Sequence, residues 1–183
     1  KQDREKVKDT IDSLFSLNKK LIGTKAQEII ISSPHPDWGF EVPLYFLAEN
    51  FKGKISKVLT SFESPESHFK QGKNTYKNLE KDKKYAIIAS GDLSHCLKED
   101  GPYRLNPQGE KFDKELIESL KNKNIENILK LDDKYPEAGE CGLRSFCFLL
   151  GILDESKADW QAEILSYQSP FGVGYLAANF KLK

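Results

Sequence analysis

"QEIIISS", residues 27–33, decides the fold. Apolar β-branched residues on successive positions predict a strand whose two faces are both covered, the kind found in sheets with helices on either side. Before it, "REKVKDTIDSLFSLNKKLI" (4–22) spaces Val7, Ile11, Leu14, Phe15, Leu17, Leu21 and Ile22 mostly by three and four, an amphipathic helix closed by Gly23. After it, "VPLYFLAENF" (42–51) reads as a helix starting at Pro43, and "KISKVLTSF" (54–62) as a strand. "SPESHFKQGKNTYKNLE" (64–80) opens with a serine cap and a first-turn proline, a helix start. "KYAIIAS" (84–90) is a second buried strand.

Beyond it, Asn106 caps a helix with Pro107 in its first turn and Phe112, Leu116, Ile117 and Leu120 on one side. "IENILKLDD" continues as a shorter helix, "AGECGLRSFCFLLGIL" (138–153) as a mostly apolar one, and "AEILSYQS" and "GVGYLAANF" close the chain as strands. Strands alternating with helices predict an α/β fold, a three-layer α/β/α sandwich with a central mixed sheet, in one domain spanning 1–183.

Composition narrows the function classes. A chain of 183 residues, 38% hydrophobic and 31% charged, can bury one sizeable core. Its 28 basic residues balance 28 acidic ones, so no net field attracts phosphate backbones or anionic lipid. Neither nucleic acid nor membrane is therefore an expected partner, and no apolar run reaches the length of a membrane span. Three cysteines without a disulfide spacing suit a reducing, cytoplasmic setting. The chain starts at Lys1 and contains no methionine, so residues adjacent in it need not be adjacent in the whole gene product.

Open α/β sheets bind ligands beyond the carboxyl ends of their strands. His35 follows "EIIISSP" and His95 follows "YAIIASGDLS", so both occupy that kind of position. A turn hydrogen bond explains either histidine alone; their matching placement puts a chemical role on a level with it. His68, between Glu66 and Lys70 in a polar helix, reads as a surface residue. Glu140 and Cys141, at a glycine-flanked helix start, are candidate anionic metal ligands, although taken alone a first-turn glutamate and a small buried thiol explain them better. Cys147 reads as core, and no Cys-His-Asn/Asp pattern surrounds Cys96.

Together, "IIASGDLSH", "NPQGEKFD", "EAGECGLRS", "GILD" and "LSYQSPFGVGYLAANF" resemble, in order, the motifs of the LigB family, the catalytic subunits of class III extradiol ring-cleavage dioxygenases. The branch they most resemble is the LigB-like proteins related to the MEMO proteins. In the first half "IIISSPH" and "GFEVPLYFL" carry a thinner likeness. The resemblance implies a non-haem Fe(II) site, or one for another divalent metal such as zinc, acting on a small catecholic aromatic and O2. It assigns His35 as a metal ligand, His95 as the acid/base histidine and Asp92 as its neighbour. It places Cys141, with Glu140 just before it, where ring-cleaving members carry a carboxylate ligand and MEMO-like proteins a cysteine. The alternative it carries is a MEMO-like metal-binding or interaction protein without ring cleavage. The family also has an N-terminal strand ending in Pro-His-Pro and a longer stretch near 36–39, so both are expected to be missing from this chain. The apolar C-terminal strands make a homo-oligomer an expectation.

Overall fold

In the computed structural model, which describes residues 2–183, the chain falls into two compact units, each discontinuous in sequence. One comprises Leu14–Gly91 and Arg144–Lys157; the other comprises the chain up to Ser13, Asp92–Leu143 and Ala158–Lys183.

The first unit is built around β1 (Glu28–Ser33), all six of whose residues are buried. It pairs in parallel with β2 (Lys54–Leu59) on one side and β3 (Tyr85–Ala89) on the other. Alternate side chains leave opposite faces of a strand, and the isoleucine run uses both. Ile29 and Ile31 pack with Phe40 of α2 (Trp38–Leu47) and with Leu21 from the C-terminal part of α1 (Gln2–Thr24). Ile30 packs with Phe148 and Ile152 of α7 (Leu143–Ser156). Within this unit helices thus cover both faces of the sheet. Each fully buried side chain such as Ile29, Ile31 or Phe148 contributes roughly 1.5–3 kcal/mol.

On the α7 side, α3 (Pro65–Lys77) and α7 touch backbone to backbone. A Cβ at Gly72 would lie 2.0 Å from the Phe148 carbonyl oxygen, and one at Gly151 would lie 2.1 Å from that of Phe69. Only glycine at both positions lets the helices approach so closely. Ser32 and Ser145, both fully buried, join β1 to α7 with hydroxyls 2.8 Å apart.

The second unit pairs β4 (Trp160–Gln168) antiparallel with β5 (Tyr175–Leu182), with a bulge between Ile164 and Ser166 and a 3-10 turn at Pro170–Gly172 between the strands. Against β4 lies α4 (Pro107–Lys121), followed by the short helices α5 (Ile125–Leu129) and α6 (Leu131–Lys134). Asn106 caps α4 as expected, accepting the Gln108 N–H at 2.9 Å. Glu115 ties α4 to its neighbours, accepting from Lys134, Tyr135 and Asn127.

The α/β class read from the alternating elements is the one the structure has, with parallel pairing in one sheet and antiparallel pairing in the other. Three local expectations need correction. Helix α2 begins at Trp38 rather than Pro43, because the Asp37 carbonyl accepts the N–H groups of Phe40 and Glu41 and starts the turn early, leaving Pro43 inside the helix. Helix α7 begins at Leu143 rather than 138. Gly139 turns the chain at φ +64°, and the Glu140 carboxylate then accepts the Leu143 N–H at 2.6 Å, opening the helix. His68 is buried, not on the surface: it is only 3% exposed. Its Nδ1 lies 3.0 Å from the Ser64 carbonyl and its Nε2 accepts the Ser61 N–H at 3.1 Å. The polar neighbours Glu66 and Lys70 concealed that inward face.

Candidate metal centre

Two loops of the second unit are laced together by their backbones. The Asp92 carbonyl accepts the N–H groups of Cys141 and Gly142, at 3.4 and 2.9 Å. In return the Asp92 N–H points at Cys141 Sγ, 3.3 Å away. His95 is held to the same loop, with its backbone N–H 3.3 Å from the Gly139 carbonyl and its ring Nδ1 2.5 Å from that oxygen. A carbonyl can only accept, so Nδ1 carries a proton and Nε2 is the atom presented to the site.

This lacing gathers three chemically different groups. Ligand atoms of Asp92, His95 and Cys141 lie within 4.8 Å of one another, each residue half-buried. His95 Nε2 is 3.5 Å from Asp92 Oδ2, and this pairing, opposed by burial, raises the imidazole pKa above its usual value. Burial pushes the Cys141 thiol up to about 12. At neutral pH that sulfur keeps its proton unless a cation takes the proton's place. A carboxylate, an imidazole and a thiol around one point form a donor set suited to a divalent transition metal, so these residues fit the metal that the resemblance implies.

The other expected site residues are placed differently. Glu140 directs Oε2 to the Leu143 N–H at the start of α7 and is not part of the three-residue cluster. His35 belongs to the first unit, just beyond the carboxyl end of β1, where Ser33 Oγ accepts its backbone N–H and its ring packs on Trp38 with centroids 4.8 Å apart.

Sequence reading missed Tyr103, Ser94, Asp113 and Tyr167. Tyr103, 65% exposed, sets its ring edge-on to His95 with centroids 5.6 Å apart. Asp113 is a buried carboxylate beside Ser94, the residue before His95. The signal for it was available: a charged residue at the end of "NPQGEKFD", immediately after the core residue Phe112 on a helix whose apolar face is otherwise regular.

The chain belongs to the LigB family, described as the catalytic LigB subunit of aromatic ring-opening dioxygenase, whose model matches residues 9–178 and so runs through both units. It is similar to Protein CA_C1420 of Clostridium acetobutylicum, with 48% identity over 142 residues; the match takes in 76% of this chain but only 30% of that relative. The fold is also that of an uncharacterized protein, JW3007, from Escherichia coli K12. That crystal structure superposes with a TM-score of 0.63 at 15% identity, over 90% of this chain and 91% of that one. Among the described residues no helix is long and apolar enough to cross a membrane.

Proposed function

We propose that this chain is the catalytic domain of a non-haem Fe(II) extradiol dioxygenase, which inserts O2 into the ring of a small catechol. The observation that carries the reading is the convergence of Asp92, His95 and Cys141 in a chain of the LigB family. Cys141 would hold the iron, and Asp92 and His95 stand beside it as the groups that handle protons.

A divalent iron held at Cys141 would supply Lewis acidity toward the catechol and a route for electrons from the ring to O2. The protein's own groups handle the protons. His95 Nε2, facing Asp92, takes the second catechol proton; with Nδ1 committed to the Gly139 carbonyl, the ring cannot turn away. The Asp92 carboxylate stabilises the imidazolium so formed. His95, once protonated, would return that proton to the substrate during ring opening. Both oxygen atoms finish in the ring-opened product, so no external reductant is required. Tyr103, edge-on to His95, offers an aromatic wall for the substrate ring.

The test is anaerobic loading with Fe(II), then a panel of catechols and O2, following oxygen uptake and the yellow ring-opened product. Turnover abolished by Cys141→Ala supports the reading. Tight metal binding lost in Cys141→Ala, with no product from any catechol, overturns it. That outcome favours the second reading, a MEMO-like metal-binding protein without ring cleavage, for which the thiol at position 141 is the specific observation.

A further inference from the structure

We propose that Asp113 and Tyr167 are positioning residues for His95, acting through the amide of Ser94. The inference rests on His95 being the reactive imidazole, but its structural content can be tested without any reaction.

Asp113 lies on α4 and is 1% exposed. Its Oδ1 accepts the Ser94 N–H at 2.8 Å and its Oδ2 accepts the Tyr167 hydroxyl at 2.6 Å. Neither partner is a cation. A carboxylate taken out of water without a counter-charge is costly, and it is retained where donors engage its oxygens. Here each oxygen is engaged by a donor from a different element, the loop before His95 and strand β4.

The loop is fixed at neighbouring positions as well. Ser94 Oγ donates to the Ala138 carbonyl at 2.7 Å and accepts the Cys96 N–H at 3.0 Å. The Ser94 carbonyl accepts the Gly174 N–H at 2.8 Å, and the Leu93 N–H donates to the Gly174 carbonyl at 2.9 Å. These ties run to backbone close in space. Asp113 supplies the tie to the helix, one residue from His95, so its two bonds set how the His95 backbone, and with it Nε2, meets Asp92 and Cys141. Asp113 lies outside the cluster itself, so its action is on geometry and not on the substrate.

The experiment reads the imidazole directly. Nitrogen–proton correlation spectra of the metal-free full chain resolve its three histidines, assigned with His35→Gln, His68→Gln and His95→Gln. In wild type, His95 is expected to show one fixed Nδ1–H tautomer. In Asp113→Leu it is expected to show exchange-averaged or shifted signals, while the His68 signals stay put. Asp113→Asn, which keeps an acceptor for the Ser94 N–H, should restore much of the wild-type pattern, and Tyr167→Phe should perturb it least. In Fe(II)-loaded protein the same order should appear as a loss of kcat of about 10- to 100-fold for the leucine variant, with KM little changed. Should Asp113→Leu fail to fold, Asp113→Asn and Tyr167→Phe carry the test alone. Unchanged His95 signals in folded variants would overturn the proposal. Absence of turnover in wild type, with His95 still perturbed by Asp113→Leu, would instead count against the dioxygenase reading and leave the positioning role standing.

Discussion

The two units solve different problems with burial. Around β1 the buried surface is mostly apolar: Ile29, Ile31 and Phe40 on one face, Ile30, Phe148 and Ile152 on the other. Around Asp92, His95 and Cys141 it is polar, with backbone carbonyls, a thiol and an uncompensated carboxylate each engaged by a specific donor or acceptor. Apolar packing is non-directional and tolerates approximate shapes, whereas a polar network fixes orientation and suffers when one member is lost. The first unit is therefore expected to register substitutions as stability, and the second as chemistry.

The largest effect should separate these outcomes most clearly. His95→Gln, in the Fe(II)-loaded protein, is expected to lower kcat by about 10²- to 10⁴-fold, the contribution of a placed acid/base group. Its melting temperature should stay close to wild type, because the ring is only half-buried. Loss of metal binding together with turnover would make His95 a ligand rather than a proton carrier, and equilibrium dialysis with Fe(II) decides between them.

The converse experiment is Phe148→Ala, at the centre of the face where α7 meets β1. Emptying that fully buried position should cost about 3–5 kcal/mol in denaturant unfolding. Below the transition, the Cys141-dependent absorption of bound cobalt should match wild type. A spectrum altered as much as the stability would break the contrast between the units.

How much of this could be read beforehand follows the same division. The isoleucine run at 29–31 announced a two-faced strand, since three successive apolar residues have few other soluble solutions. Asn106 and Pro107 announced α4 because capping chemistry is local. Helix starts at 38 and 143 were misplaced because they depend on the Asp37 carbonyl and on Glu140 turning forward, which composition does not reveal. At the site, the motifs singled out His95, Asp92 and Cys141, which the structure brings together, whereas Asp113 showed only as a charge beside Phe112 with nothing to mark its partners, 19 and 54 residues away. A polar network is defined by pairings across the fold, and a linear pattern does not display them.

Asp113 and Glu115 sharpen the comparison within a single helix, because their environments shift them in opposite directions. Burial, partly offset by the Tyr167 and Ser94 bonds, raises Asp113 from 3.8 to about 6. Between those values the native state holds a proton that the unfolded chain has released, so stability falls as pH rises through the window and stays lowered above it. The stability of Asp113→Asn relative to wild type should therefore improve between pH 3.5 and 7 by on the order of 2 kcal/mol. Urea titrations across that range measure the slope, and parallel curves for the two proteins would contradict it.

Glu115 should give a smaller effect of the opposite sign. The Lys134 ammonium first, then the Tyr135 hydroxyl and the Asn127 amide, lower it from 4.5 to about 2. Here the unfolded chain binds the extra proton, so the stabilisation is complete above pH 4.5 and is lost as pH falls toward 2. The Lys134 side chain is about half exposed, at 49%, and solvent screens the pair. Glu115→Gln should thus cost only about 1 kcal/mol at pH 7 and nothing near pH 2. If wild type and Glu115→Gln instead differ equally at both ends of the range, the glutamate's contribution is its hydrogen bonds to Tyr135 and Asn127 and not its charge. The helix would then be tied to α5 and α6 by neutral geometry alone, as the Ser32 and Ser145 hydroxyls tie β1 to α7 in the other unit.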